Sequence, residues 1–182
     1  LIKEPKDIGN SSAIILPGVG SFDPAIENLE KTNLIPYLKE WAEEKKPLLG
    51  ICLGLQLMFE SSDEGKLSGL GLFKGHVSSL PIDQKQKIPH MGWSSLNNQN
   101  PCPLIDNFSE SYWMYFVHSY AAEPYEKEVA ATVSFGEKEI TAIVWKHRMG
   151  ACQFHPEKSG KAGQKLLSNW LKWLEEGAKT IC

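Results

Sequence analysis

Cysteine is scarce in this chain and has no motif spacing. The four residues, Cys52, Cys102, Cys152 and Cys182, form no C-x-x-C pair, which excludes a zinc ribbon and a thioredoxin-type motif. A chain of 182 residues can bury a core without cross-links, and no signal peptide is recognisable at its start. Reduced thiols and a cytoplasmic location are the expectation. Long apolar runs are also missing: none approaches the ~20 residues of a membrane-spanning helix, so no membrane association is expected. Charge of one sign is lacking too. The 19 Lys and Arg against 22 Asp and Glu leave a net charge of −3, with no basic block to follow a phosphate backbone. Nucleic acid is therefore not an expected partner. No internal repeat, no low-complexity segment and no cluster of metal-ligating side chains is visible, so neither metal nor cofactor is expected.

What is present suits one soluble domain over residues 1–182: 42% hydrophobic and 23% charged residues. The first dozen residues are mostly polar, contain Pro5, Gly9 and Asn10, and read as a loop entering a strand. Ala13-Ile14-Ile15-Leu16 is a short apolar run ended by Pro17-Gly18, the pattern of a buried strand and a turn. Residues 24–44 read as helical, with Ile26, Leu29, Leu34, Leu38 and Trp41 on an imperfect apolar face and Pro36 as a break or restart. Pro47-Leu48-Leu49-Gly50-Ile51 is a second buried strand, followed at once by a helix over 53–60. Alternating strands and helices imply a parallel sheet covered on both faces. The rest is richer in β-structure. Strands are expected over 72–80, 112–120, 129–135, 140–145 and 151–154, with a turn-rich surface loop over 97–103. A final amphipathic helix carries Leu166, Leu167, Trp170, Leu171 and Leu174.

Three segments carry chemistry. Gly50-Ile51-Cys52-Leu53-Gly54 follows a buried strand and opens a helix, the context of a nucleophile elbow with Cys in place of Ser. The turn is tight, so glycine is favoured on both sides. A helix N-terminus directs N–H groups at the sulfur and favours thiolate. The same pattern also suits a buried structural cysteine in a glycine-rich turn. A thiol nucleophile needs a base and the base an orienter. His155 in Gln153-Phe154-His155-Pro156-Glu157 ends an apolar strand, and Glu157 is two residues on. The alternatives are a surface His-Pro-Glu turn, or metal ligation by His155 and Glu157. Third, Pro17-Gly18-Val19-Gly20-Ser21-Phe22 is a glycine-rich loop able to offer backbone N–H groups to a tetrahedral oxyanion. A phosphate loop fits poorly, because neither G-x-x-x-x-G-K-[ST] nor G-x-G-x-x-G occurs. An inert turn remains open.

Together these segments resemble the class I (triad) glutamine amidotransferases. Pro89-His90-Met91-Gly92-Trp93, Tyr115-Phe116-Val117-His118-Ser119-Tyr120 and Gln153-Phe154-His155-Pro156-Glu157-Lys158-Ser159-Gly160 narrow the resemblance to glutaminase subunits of imidazole glycerol phosphate synthases. It runs from about Pro5 to the last helix. The resemblance implies an α/β, flavodoxin-like, mixed but mostly parallel sheet flanked by helices, with a β-rich second half. It implies Cys52 as nucleophile, His155 as acid/base and Glu157 as orienter. The oxyanion hole would come from Leu53 and the Gly18-Val19-Gly20 loop, and Gln56, His118 and Ser119 would help hold L-glutamine. The implied partner is a (βα)8-barrel cyclase that joins ammonia to a ribotide, giving imidazole glycerol phosphate and an aminoimidazole carboxamide ribotide. Met91, Trp93, Tyr115 and Lys158 are expected at that interface. Two departures accompany the resemblance. Such subunits open with a strand and an Asp-Tyr-Gly-x-Gly-Asn-type segment, whereas this sequence begins with Leu1 and has none, so a first β-α unit is expected to be missing. Ser94 stands where Asn is common. Other class I amidotransferases, a γ-glutamyl hydrolase, and a catalytically weak interaction module are the competing functions.

Overall fold

The structure, a computed structural model, describes residues 2–9, 11–82, 86–105 and 112–180. Cys182, and positions 1 and 10 of the expected entry loop, lie outside them. The chain enters β1 (Ile14–Gly18), then runs through α1 (Phe22–Lys31) and α2 (Ile35–Glu43). Pro36 sits in the first turn of α2, where its missing N–H costs nothing. The break before it contains Asn33 at φ 54. Next come β2 (Leu48–Cys52), α3 (Leu53–Leu57) and the short β3 (Ser61–Ser62). The helix α3 is shorter than expected. The carbonyls of Leu57, Met58, Phe59 and Glu60 accept N–H groups from residues 69–73 instead of serving another helical turn.

The β-rich half follows: β4 (Gly75–Ser79), β5 (His90–Ser95), β6 (Asn97–Asn98), β7 (Trp113–His118), β8 (Tyr120–Pro124), β9 (Val129–Phe135), β10 (Lys138–Lys146) and β11 (Met149–Cys152), before α4 (Gly160–Glu175). The main sheet has the order β1-β2-β11-β10-β9-β6, beside a β3-β4-β8 sheet and a β5-β7 pair. The sheet is mixed, as expected, but among the described strands its parallel part is confined to β1-β2-β11. β10, β9 and β6 pair antiparallel. The tight link from β10 to β11 accounts for the change of direction: an antiparallel pair closes through a short turn, whereas a parallel one needs a crossover.

Neighbouring residues of the central strands face opposite cores. Leu48, Val144 and Ala151 pack with α1, α2 and α3, whereas Leu49, Ile143 and Cys152 pack with α4 and β7. Trp173 of α4 meets the Trp145 ring edge-on at 5.3 Å. Trp173 is buried and Leu171 is 53% exposed, so the apolar stripe of α4 is rotated from the one expected. The 97–103 segment also differs: residues 97 and 98 form β6, and Cys102 is buried. Among the described residues, no helix is long and apolar enough to cross a membrane.

Candidate active site

At the C-terminal end of β2 the chain turns sharply into α3, and the turn residue is Cys52, at φ 55 and ψ −111. That is a sparsely populated region for a residue with a Cβ, and such strain concentrates at functional sites. The flanking glycines are required by space. A Cβ on Gly50 would stand 2.7 Å from Met58 Sδ and 2.9 Å from Ala151 Cβ, and one on Gly54 would collide with the Leu16 carbonyl. The elbow is thus wedged between β1 and β11. Gly18, at the end of β1, is confined in the same way, since its Cβ would meet that of Leu53 at 2.9 Å. Only Gly20 in this loop uses glycine's freedom, at φ 98 with open space around it. The two glycines thus serve different needs, Gly18 close packing and Gly20 backbone conformation.

The sulfur's surroundings correct a second expectation. Burial pushes the Cys52 thiol up to about 11, and the Glu157 carboxylate adds to the rise. The Leu53 N–H aimed at the sulfur and the Lys158 charge offset it only in part. A helix of five residues contributes little dipole, so desolvation prevails and the resting group is the thiol. The other described cysteines are also free and buried. Burial pushes Cys102 up to about 12, so its expected accessibility in a loop does not hold.

His155 follows β11 and precedes a 3-10 turn, Pro156–Lys158. Its N–H donates to the Tyr115 carbonyl of β7 at 2.9 Å. Its Nδ1 lies 2.7 Å from Glu157 Oε1. Since a carboxylate accepts, the proton sits on Nδ1, which leaves Nε2 with a free lone pair able to take a proton. His155 and Cys52 line one cavity of about 400 Å³, together with Val19, Gly20, Leu53 and Gln56. His118 and Ser119 line it too, so eight of the expected site residues converge there. Gly18 and Glu157 do not line it; Gly18 packs against Leu53, and Glu157 bonds His155. Among the described residues, a larger groove of about 570 Å³ beside α4 is lined by the buried Cys102 but by no histidine.

Sequence reading missed Glu64. This carboxylate lines the same cavity and accepts the Phe22 N–H, at the start of α1, through Oε2 at 3.0 Å. The exchange is reciprocal: Asp23 of α1 accepts the Lys66 and Leu67 N–H groups at about 3.0 Å. Nothing local to Glu64 signals this, because its partner lies 42 residues earlier.

The expected interface residues lie on the β5–β7 pair and the turn after His155. Met91 and Trp93 are 62% and 51% exposed. Trp93 opposes Tyr115 in register, with their rings edge-on at 5.9 Å. Lys158 is exposed. Trp113, also on β7 and 54% exposed, extends the same face and was not anticipated. Tyr115 ties this face to the site, since its N–H donates to Ser159 Oγ and its carbonyl accepts from His155.

An α/β sheet with a cysteine elbow beside a histidine–carboxylate pair defines a class of thiol-dependent enzymes. Comparison with known proteins narrows it. The family model described as glutamine amidotransferase class-I matches residues 2–173. Imidazole glycerol phosphate synthase subunit HisH of Prochlorococcus marinus (strain MIT 9211) is 64% identical over 176 residues, covering 97% of this chain and 83% of its own. The protein of that name from Synechococcus sp. (strain CC9902) is 55% identical over 182 residues, covering 100% and 85%. A solved structure titled as a glutamine amidotransferase shares the fold at a TM-score of 0.72 with 16% identity, over 96% of this chain and 85% of that one. PurLQS from Thermotoga maritima does so at 0.67 with 21% identity, over 91% and 81%. The chain belongs to the class I glutamine amidotransferases and, within them, to the HisH subunits of imidazole glycerol phosphate synthase.

Proposed function

We propose that this chain hydrolyses L-glutamine to glutamate and ammonia through Cys52, His155 and Glu157, and that it passes the ammonia to a (βα)8-barrel cyclase. That partner would use it to make imidazole glycerol phosphate and an aminoimidazole carboxamide ribotide. The observation that carries the reading is the meeting of Cys52, His155 and Gln56 in one cavity, with Glu157 on the far nitrogen of His155.

The chemistry follows from the groups present. Cys52 Sγ attacks the side-chain carbonyl carbon of glutamine while His155 Nε2 takes the thiol proton. Concerted transfer suits a thiol held as high as about 11. The developing oxyanion accepts the Leu53 N–H and an N–H of the Val19–Gly20 loop. His155 returns its proton to the departing nitrogen, ammonia leaves, and a thioester remains. Water, deprotonated by His155, then attacks the thioester; glutamate departs and the thiol is restored. Glu157 keeps the His155 proton on Nδ1 throughout. Gln56, Ser119 and Glu64 suit the amino-acid end of the substrate, Glu64 as the anion facing its ammonium. Ammonia release from glutamine, measured with and without the barrel and its nucleotide ligand, tests the reading. Turnover that depends on Cys52 and rises with the partner is expected. Preferential hydrolysis of γ-glutamyl peptides would contradict it.

A further inference from the structure

Resting on that functional reading, we infer that His90, His118 and Gln153 are positioning residues, joined through the Tyr120 carbonyl into one proton-ordered chain that fixes the amide of Gln56 as an acceptor in the substrate cavity.

The order of protons follows from one acceptor. The Tyr120 carbonyl can only accept, and it lies 2.8 Å from His118 Nδ1 and 3.3 Å from Gln56 Nε2. His118 therefore carries its proton on Nδ1, which leaves Nε2 as an acceptor. His90 Nδ1 lies 3.1 Å from that Nε2 and must supply the proton. His90 Nε2 is then bare, and Ser94 Oγ, 3.0 Å away, donates to it. In the other direction, the second N–H of Gln56 reaches Gln153 Oε1 at 3.1 Å. The orientation of each amide and the tautomer of each ring are thereby set by a single backbone oxygen.

The surroundings hold the chain in place. His90 and His118 face each other across β5 and β7, and His90 stacks on Phe116 at 4.8 Å. His90, His118, Gln56 and Gln153 are all buried, Gln153 completely. Burial and the neighbouring imidazoles hold His118 down at about 4, and burial lowers His90 below its ordinary value as well, so both rings are neutral near pH 7 and the one-direction arrangement applies. Gln153 Nε2 is itself buried without a hydrogen-bond partner among the described residues. Turning that amide over would satisfy it no better and would set nitrogen against nitrogen at Gln56.

Two consequences follow for the site. Both N–H bonds of Gln56 are committed, so in the cavity this side chain can only accept, and its ligand must be an N–H of the substrate's ammonium or amide. Both ring nitrogens of His118 are committed as well. His118 lines the cavity but has no ring donor or acceptor left for glutamine. It acts through Tyr120 and Gln56, not as the direct substrate ligand that the resemblance implies. The chain also begins on β5, whose opposite face carries Met91 and Trp93, so the partner-facing strand and the substrate contact share one network.

The test uses the whole chain with its barrel partner. Imidazole ¹⁵N shifts of the parent at neutral pH should show both His90 and His118 as neutral Nδ1–H tautomers. An Nε2–H tautomer at His118 overturns the chain whatever the kinetics. In glutaminase assays His90→Phe keeps the stacking on Phe116 but removes the donor to His118. It should raise KM for glutamine about tenfold, or ~1.4 kcal/mol, and leave kcat within about twofold. His90→Asn places an amide N–H where Nδ1 was and should restore KM to within about twofold of the parent. Gln153→Met removes the acceptor at the other end and should give the same split of KM from kcat. Equal losses in His90→Phe and His90→Asn, or losses confined to kcat, overturn the positioning role. A parent that lacks glutaminase turnover would instead sink the functional reading, and the tautomers would still decide the chain.

Discussion

Glu157 Oε1 stands 2.7 Å from His155 Nδ1, yet the imidazole is 5% exposed and the carboxylate 53%. The proposed base is enclosed and its proposed orienter is half in water. Their loss should therefore be unequal. His155→Ala removes the proton carrier and should lower kcat by at least ~10²-fold. Glu157→Gln keeps a polar partner that water can supplement, and should lower kcat by roughly tenfold with the fold intact. Steady-state ammonia release with the partner present, beside a thermal melt, measures both.

Acid should weaken the fold through His118. Its pKa in the folded chain is about 4, against an ordinary 6.5, because burial opposes the charged ring. Between those values the unfolded chain binds a proton that the folded chain does not. The contribution is therefore complete above about pH 6.5 and is lost as pH falls toward about 4. Between about pH 7 and about pH 5 the parent should lose roughly 2 kcal/mol that a His118→Gln variant does not lose. Denaturant titrations of both proteins at the two pH values check the difference.

Partner binding should depend on the ring pair on β5 and β7. Trp93 is half exposed and rests edge-on against Tyr115, the setting of an aromatic anchor. Trp93→Ala should weaken association with the barrel by about tenfold or more, ~1.4 kcal/mol, without affecting the melting temperature. Calorimetric titration of parent and variant is the check.

Activation by the partner should pass through Gly20. Its φ of 98 is reached readily only by glycine, so the peptide unit between Val19 and Gly20 is the one free to turn over. An oxyanion donor gained or lost there is worth ~10²–10³ in rate. The isolated chain should turn over weakly and gain at least tenfold with barrel and nucleotide, on the order expected for one donor. Gly20→Val should reduce that ratio while leaving Cys52 open to alkylation. Gly18→Val is the poorer test, since its side chain would drive into Leu53. Kinetics with and without the partner measure the ratio.

The elements around the elbow were legible because each has a local cause. Pro36 restarts a helix, and Gly50 and Gly54 bracket a residue at positive φ; the Pro17-Gly18 turn was misplaced, since both residues still pair with β2. His155 and Glu157 are neighbours in sequence, so their pairing was legible too. Contacts across the fold were not. The bond from Phe22 N–H to Glu64 spans 42 residues, and that from Gln56 to Gln153 spans 97. Neither end of either pair carries a mark of the other. The state of the Cys52 thiol escaped for a related reason. The turn motif tells that N–H groups face the sulfur, but how much water is excluded depends on residues as far apart in the chain as Val19, Val117 and His155.

The most direct test of the proposed chemistry is the site and pH dependence of thiol labelling. A glutamine analogue bearing an electrophilic ketone should modify Cys52 rapidly near neutral pH, because the held ligand lets His155 take the proton as the bond forms. A small neutral alkylating agent has no such help. Its slow reaction at Cys52 should climb with pH toward about 11, following the thiol. Peptide mapping by mass spectrometry after each treatment reads both outcomes. Analogue label on Cys52, lost in His155→Ala, is the predicted result; label on Cys102 or Cys182, or none at all, would contradict the account.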